Sequence, residues 1–143
     1  MVNQIFVNLP VKELNRSIEF FTRLGYTFDP QFTDQNAACL ELGENMYAML
    51  LVEDFFRTFT DREVIDAHRQ VEALVALALD SREAVDEQIA KARAAGARIP
   101  GEPKDYGFMY QHGFQDPDGH LWEVFYMDMA AAPPRPEPET IAR

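Results

Sequence analysis

The sequence predicts an α+β fold made of two modules of the same kind, each with one strand, one helix and three further strands. The main observation is that this order of apolar and polar patterns occurs twice, about half the chain apart. A glycine follows each helical pattern, Gly25 in the first half and Gly96 in the second, where a helix end favours a left-handed residue. We therefore expect a curved mixed sheet in each module, with its helix on the outer face and a central cleft between the modules.

The first module covers about residues 3–53. Pro10 ends its opening strand, and residues 43–45 form a short hairpin loop between its last two strands. The helix is predicted from apolar residues at helical spacing, which are Leu14, Ile18, Phe21 and Leu24. The predicted elements are a strand at 5–9, a helix at 14–24, an extended segment at 26–28, and strands at 38–42 and 46–52.

The second module covers about residues 71–127. Asp80 is predicted to cap its helix, and Glu83 completes a pattern like a capping box. The inner face of the helix is predicted to carry Val85, Ile89 and Ala92. The predicted strands lie at 73–79, around 98–99, at 108–114 and at 120–126.

Residues 54–70 connect the modules, so that residues 1–128 form a single domain. The pattern Thr60 to Glu63 predicts a capping box that opens a short helix through His68. Three phenylalanines precede it, and they fit a lid over a pocket, a subunit interface, or packing against the chain's own sheets: Phe55, Phe56 and Phe59. The Pro-rich tail, residues 129–143, is predicted to be disordered.

Composition excludes several function classes. The net charge of −11 argues against nucleic-acid binding, which requires a basic patch for the phosphates. No apolar segment approaches the length that spans a membrane. Cys39 is the only cysteine and lies among small apolar residues, so we expect a buried thiol in a protein of the cytoplasm.

Glu123 is the most informative residue of the last strand. The turn Asp116 to Gly119 leads into this strand, where Glu123 shares a face with Leu121 and Phe125. Burying its carboxylate without a partner costs several kcal/mol, roughly. We therefore expect Glu123 either at a solvated edge or in a cavity that binds a ligand.

These features together resemble the vicinal oxygen chelate superfamily, which includes glyoxalase I, extradiol dioxygenases and bleomycin-resistance proteins. The resemblance covers roughly residues 3–127. Its specific parts are the first strand and helix, from Phe6 to Gly25, and the last hairpin, from Asp116 to Glu123. Within the superfamily, the chain looks most similar to proteins described as predicted lactoylglutathione lyases. The resemblance implies a dimer, a small-molecule ligand in the cleft and, in many members, a divalent metal.

The metal positions of this family are mostly apolar here. Transferred onto this sequence, three ligand positions fall on Phe6, Met49 and Leu74, and only Glu123 is a usual ligand. A metal site needs several converging donors, so we expect no bound metal and no other cofactor, although a divalent ion is not excluded. Metal-dependent isomerisation of the glyoxalase type is therefore in doubt.

Other polar residues provide a candidate site without a metal. Asn8 shares a strand face with Phe6, while Tyr110 and His112 share a face of the penultimate strand. His112 and Glu123 form a general acid/base pair if they are within hydrogen-bonding reach. We prefer the interpretation that His112 is exposed or merely hydrogen-bonded at a strand end, since Gly113 beside it indicates a bulge or irregular edge. The predicted ligand-binding set is Phe6, Asn8, Met49, Leu74, Tyr110 and Glu123.

Two classes of function remain open from the sequence. The first is a glyoxalase-like lyase or isomerase of unknown substrate. The second is a protein that sequesters a drug or toxin without catalysis, as bleomycin-resistance relatives do. In both classes, the ligand is expected to be a small organic molecule in an apolar cleft with one carboxylate, to which a cationic group would be complementary.

Overall fold

The computed structural model describes residues 1–134 and confirms two modules of one strand, one helix and three strands. The first module consists of β1 (Ile5–Val11), α1 (Leu14–Arg23), β2 (Thr27–Asp29), β3 (Ala37–Gly43) and β4 (Met46–Val52). The connector begins with the short helix α2 (Glu53–Phe56) and one 3-10 turn at Arg57–Phe59. The second module consists of β5 (Val75–Ala78), α3 (Arg82–Ala94), β6 (Lys104–Asp105), β7 (Met109–Gln115) and β8 (Leu121–Met127).

Each module forms its own four-stranded mixed sheet. The strand order is β1-β4-β3-β2 in the first sheet and β5-β8-β7-β6 in the second. In both sheets the first strand pairs in parallel with the last, and the remaining pairs are antiparallel. A parallel pair needs a crossover, which the helix and the two middle strands provide. The repeated sequence pattern is therefore a repeated topology.

One hydrophobic core joins the two modules behind the sheets. Phe21 of α1 packs against Trp122 of β8, with ring centroids 5.2 Å apart, and Phe20 packs against Phe114 of β7 at 6.0 Å. The predicted inner face of α3 lies in the same core, since Val85, Ile89 and Ala92 are all buried. Each sheet thus has a helix face, which is in the core, and an opposite face that we call the open face.

The hairpin at residues 116–120 links the second module to the first. Asp116 and Asp118 are both buried. The Asp118 carboxylate accepts hydrogen bonds from the backbone N–H of Lys12 at 2.9 Å and from the Ser17 hydroxyl at 3.1 Å. His120 Nε2 donates to the backbone oxygen of Pro10 at 2.7 Å. The motif that most specifically marks the sequence therefore joins the modules.

Asp116 organises the hairpin from within. Its carboxylate accepts hydrogen bonds from the backbone N–H groups of Asp118 and His120 and from Trp122 Nε1, at 2.9 to 3.0 Å. Burial raises the pKa of the Asp116 carboxyl above its usual range. The three N–H donors act in the opposite sense, because they favour the charged form.

Four local predictions are wrong. Pro10 does not end the opening strand, since β1 continues to Val11 and Pro10 pairs with Leu51 of β4. Residues 60–73 contain no helix, because Thr60 Oγ1 accepts from Arg62 N in a local turn and the helical segment lies earlier, at α2. Ser81, not Asp80, caps α3, since its side chain accepts from Ala84 N at 3.0 Å. The strand expected around 98–99 is a single bridge from Arg98 to Gln115.

The predictions about membrane segments and the C-terminal tail can be compared with the structure only within residues 1–134. None of the helices within residues 1–134 combines the length and apolarity needed to cross a bilayer. The tail predicted to be disordered, 129–143, extends beyond the described residues from position 135 onward.

Candidate functional site

Glu123 stands on the open face of the second sheet. Its strand neighbours Trp122 and Val124 are buried in the core, so alternation turns Glu123 to the opposite side. The predicted sharing of a face by Leu121, Glu123 and Phe125 is therefore confirmed. Glu123 is half-buried, and its strand partners are Ala76 of β5 and Gly113 of β7.

A cavity of about 340 Å³ surrounds the position of Glu123, and we call it the Glu123 cavity. This volume is at the lower end of the range for small-molecule sites, roughly 300 to 1,000 Å³. Its lining is mainly apolar, with a few polar groups. The lining residues are Leu74, Pro100, Gly101, Glu102, Lys104, Gln111, His112, Gly113, Phe114, Leu121, Trp122 and Glu123.

An irregular sheet edge creates the wall of this cavity. Arg98 pairs with Gln115 and Lys104 pairs with Gln111, so six residue steps on the edge oppose four on β7. The two extra residues bulge outward around Gly101. Gly101 has φ +141°, which favours glycine.

His112 holds this bulge in place. Its Nε2 donates to the backbone oxygen of Gly101 at 2.8 Å. His112 is therefore hydrogen-bonded, but in the middle of β7 and not at a strand end as expected. Gly113, beside it, pairs with Glu123 and leaves the floor of the cavity without a side chain.

The Glu123 cavity contains charges of both signs. Glu102, Lys104 and Glu123 all line it. Within residues 1–134, neither Lys104 nor Glu123 takes part in an ion pair within 4.0 Å. These charged groups are free to interact with a ligand.

A second network fastens β6, which carries Lys104, to helix α3. Arg82 makes two hydrogen bonds to the Asp105 carboxylate, at 2.8 and 3.1 Å, and a third to the backbone oxygen of Gly107. These interactions lower the pKa of Asp105, mainly through the Arg82 hydrogen bond. The guanidinium also lies 5.2 Å from the centre of the Tyr110 ring.

His112 lines the same cavity as Glu123 and Tyr110 does not, but neither residue shares a sheet face with Glu123. Tyr110 pairs with Tyr126 and His112 with Val124, whose side chains are on the helix face. The Tyr110 hydroxyl donates to the Asp86 carboxylate at 2.6 Å, which raises the pKa of Tyr110. Tyr110 and His112 do share a face, as predicted, but it is the face opposite to Glu123. An acid/base pair of His112 and Glu123 has no support in this register.

The first-module candidates do not line the Glu123 cavity. Phe6 stacks on Tyr47, with ring centroids 4.7 Å apart, and Met49 lies between Asn8 of β1 and Cys39 of β3. Asn8 lines a separate cavity of about 240 Å³ between β1, the connector and the start of β8. Phe56 lines it as well, whereas Phe55 and Phe59 pack on each other at 5.2 Å. Of the predicted set, only Leu74 and Glu123 therefore meet in one cavity.

The residues present do not fit a divalent metal ion. In the described part of the chain, no group of three or more His, Cys, Asp or Glu side chains is arranged to hold one. Phe6 and Leu74 carry no donor atom, and the thioether of Met49 suits soft ions only. Burial raises the pKa of the Cys39 thiol above its usual value.

Most of the lining residues were not proposed from the sequence, among them Lys104, Gln111 and Gly113. A glycine within a strand indicates close approach of other groups, so Gly113 could have been proposed as a site residue from the sequence. Phe114 gave a signal as well, because a core residue at 114 assigns 110 and 112 to the helix face by alternation. Lys104 gave no signal, since its place follows from the bulge.

Comparison with known proteins adds the family context. A model of the Glyoxalase/Bleomycin resistance protein/Dioxygenase superfamily matches residues 3–124. No match is found among curated proteins.

Solved structures resemble the chain over most of its length. The hypothetical protein SA1046 from S. aureus has 24% identity and a TM-score of 0.75, covering 88% of this chain and 95% of its own. A glyoxalase/bleomycin resistance protein/dioxygenase from Nocardioides has 25% identity and a TM-score of 0.70, with coverages of 94% and 89%. A bleomycin resistance determinant encoded on the transposon Tn5 has 18% identity and a TM-score of 0.64, with coverages of 90% and 100%.

Proposed function

Because this chain belongs to the Glyoxalase/Bleomycin resistance protein/Dioxygenase superfamily, we propose that it is a glyoxalase-like protein that binds a small organic molecule without a resident metal. The binding site is the Glu123 cavity, where the carboxylate holds a cationic or hydrogen-bond-donating group of the ligand. Leu74 and Leu121 contact the apolar part of the same ligand. The observation that carries the proposal is the half-buried carboxylate of Glu123, which has no ion-pair partner within residues 1–134 and lies in a mainly apolar cavity.

The chemistry of the cavity supports this proposal. A half-buried carboxylate without a protein partner retains its affinity for a cation, and a site sheltered from water strengthens that attraction. The apolar walls add the hydrophobic contribution of the ligand body. The residues at the family's other metal positions leave Glu123 as a single donor, so the carboxylate is available to an organic group.

A second candidate is sequestration of a drug or toxin without catalysis. The similarity to the bleomycin resistance determinant of Tn5 and to the fosfomycin resistance protein FosX from Listeria monocytogenes favours it. Sequestration needs affinity but no acid/base pair. The hydrogen bond of His112 to Gly101, instead of to Glu123, agrees with that requirement.

We also propose that two copies of this chain form a dimer through the first sheet, and that the protein works in the cytoplasm. Ile5, Phe6 and Met46 lie close together at the start of β1 and β4 and are about half exposed. Covering such a patch removes apolar surface from water. A Phe6→Lys variant is expected to shift the protein towards monomer in light scattering, and an unchanged mass would reject this interface.

The proposed function is tested by titrating hexylamine into the protein and following backbone amide signals by NMR. We expect saturable shifts around Leu74, Gly113 and Leu121. Glu123→Gln, which keeps the side-chain shape, is expected to weaken binding at least about tenfold, the value of one charge-assisted hydrogen bond. Glu44→Gln is the matched control, because Glu44 is exposed in the hairpin of the first module. Absence of shifts in the cavity would reject the proposal.

Two further measurements address catalysis and metal. Protein purified without an affinity tag is expected to contain no stoichiometric nickel or zinc, and to leave the hemithioacetal of methylglyoxal and glutathione unchanged. A stoichiometric metal that is lost in Glu123→Ala would contradict the metal-free site. Turnover of the hemithioacetal would instead support a lactoylglutathione lyase-like activity.

A further inference from the structure

Two opposite charges face each other across the floor of the Glu123 cavity. Lys104 pairs with Gln111 of β7, and Gln111 in turn pairs with Phe125, two residues from Glu123 on β8. Directly paired residues share a sheet face, so Lys104, Gln111 and Glu123 all belong to the open face. Lys104 and Glu123 both line the cavity.

The distance between these two residues follows from sheet geometry. They are two strands and two residues apart, which puts their Cα atoms about 12 Å from each other. Side chains on one face of a sheet point in similar directions, and no ion pair within 4.0 Å joins Lys104 to a carboxylate within residues 1–134. Gln111 lines the cavity floor beside Lys104, and Gly113, which pairs with Glu123, adds no side chain to it.

We infer that the ligand of this cavity is a small zwitterion, whose anionic group binds Lys104 and whose cationic group binds Glu123. This inference rests on the proposed function and adds the class of ligand to it. Because the two side chains point in similar directions, their charged ends are about as far apart as their Cα atoms. Subtracting a charge-assisted contact of about 2.8 Å at each end from this distance leaves roughly 6 to 7 Å between the charged groups of the ligand. An ω-amino acid with five or six carbons has this length.

The surrounding groups favour a zwitterion over a dianion. Glu102 is an exposed carboxylate on the bulge, so the charged lining consists of two anions and one cation. A ligand with two negative charges would meet repulsion from Glu102 and Glu123. The apolar stretch between the charges of an ω-amino acid would lie against Leu74 and Leu121, which line the cavity.

The arrangement also gives a role to the hydrogen bonds that hold β6 against helix α3. β6 is only two residues long, Lys104–Asp105, and Arg82 binds Asp105 with two hydrogen bonds. Holding Asp105 limits the movement of Lys104, its neighbour. Arg82 is thus a positioning residue for the lysine.

The test compares three probes of equal carbon number by titration calorimetry: 6-aminohexanoate, hexylamine and hexanoate. We expect 6-aminohexanoate to bind at least about tenfold more tightly than either singly charged probe, since it makes one more charge-assisted contact. Glycine is expected to bind more weakly than 6-aminohexanoate, because its charges are too close together to reach both residues.

Two variants assign the ends of the probe. Lys104→Met keeps a side chain of similar length but removes its charge. In this variant, 6-aminohexanoate is expected to bind no more tightly than hexylamine, while the affinity for hexylamine stays unchanged. In Glu123→Gln, 6-aminohexanoate is expected to bind no more tightly than hexanoate. Lys91→Met is the matched control, because Lys91 pairs with Glu87 on the surface of α3.

The possible failures are distinguishable. If hexylamine binds in the cavity but 6-aminohexanoate binds no more tightly, the zwitterion inference is wrong and the proposed function stands. If none of the probes binds, both are wrong. If Lys104→Met retains the full advantage of 6-aminohexanoate, the anion is bound elsewhere and the inference is wrong.

Discussion

The first and second sheets share a topology but differ in what their edges and hairpins do. In the second sheet, the edge next to β7 bulges at Gly101 and encloses a cavity around Glu123. In the first sheet, the Thr33 hydroxyl donates to the Asp29 backbone oxygen and accepts from Cys39 N, which holds the edge next to β3.

The hairpins of the two sheets differ as strongly. The first is a tight loop in which Asn45 adopts a φ of +62° and Glu44 is exposed to solvent. The second carries two buried aspartates, one of which binds the first module. Duplication of the fold has therefore not duplicated the site, because a cavity depends on edge irregularities and not on strand order.

Removing the Asp118 carboxylate should give the largest difference between the hairpins. Asp118→Ala leaves the buried Ser17 hydroxyl and the Lys12 N–H without their partner, so we expect a loss of about 3 kcal/mol in the free energy of unfolding. Glu44→Ala in the first hairpin should change it by less than about 0.5 kcal/mol. Urea denaturation measures both, and equal values would contradict the role of the second hairpin in joining the modules.

A pair of glycines tests how closely the connector packs on the second hairpin. Gly119 and Gly96 have the same φ of +92°, but a Cβ at Gly119 would lie 2.5 Å from His68 N, whereas a Cβ at Gly96 meets nothing within 4 Å. Gly96→Ala should cost about 1 kcal/mol from backbone strain, and Gly119→Ala roughly 1 to 3 kcal/mol more from overpacking. Thermal unfolding of the two variants gives the difference, and a difference near zero would mean that the connector moves away freely.

The two sheet edges are compared by removing one anchor from each. His112→Phe deletes the hydrogen bond to Gly101, with an expected cost of about 1 kcal/mol and faster amide hydrogen exchange at 100–102. Thr33→Val weakens the edge of the first sheet by a similar amount. Only His112→Phe should lower the affinity for 6-aminohexanoate. An equal loss of affinity in Thr33→Val would show that binding does not depend specifically on the bulge at Gly101.

The smallest expected effect concerns the pH dependence of β6. Arg82 lowers the pKa of Asp105, so their pairing stabilises the fold above the usual pKa of the carboxyl. This contribution is lost as the pH falls through the lowered pKa. In Arg82→Gln, an NMR titration of the Asp105 carboxyl should show a higher pKa, while Arg93→Gln, an exposed change on the same helix, should leave it unchanged.

Much of the fold was predictable because local patterns and the fold agree. Helical spacing located α1 and the inner face of α3, and the turn residues located both long hairpins. The connector was mispredicted, because a capping-box pattern such as Thr60 to Glu63 stabilises a helix start only when an apolar face follows and packs. Here Ile65 remains 44% exposed.

The candidate site was only partly predictable. Alternation along one strand assigned Glu123 to the open face, and the same rule grouped Tyr110 with His112. The opposite side of these two residues follows by alternation from the burial of Phe114 in the core, which the structure shows. Lys104 was missed because its position depends on a bulge two residues long.

The sequence by itself determined the duplicated topology, the core-facing residues of α3 and the face of β8 that carries Glu123, since periodicity and turn chemistry are local properties. The tertiary structure alone decided which residues surround that carboxylate. Strand register, the bulge at Gly101 and the contact of Asp118 with the first module involve residues far apart in the chain, and no local pattern specifies them.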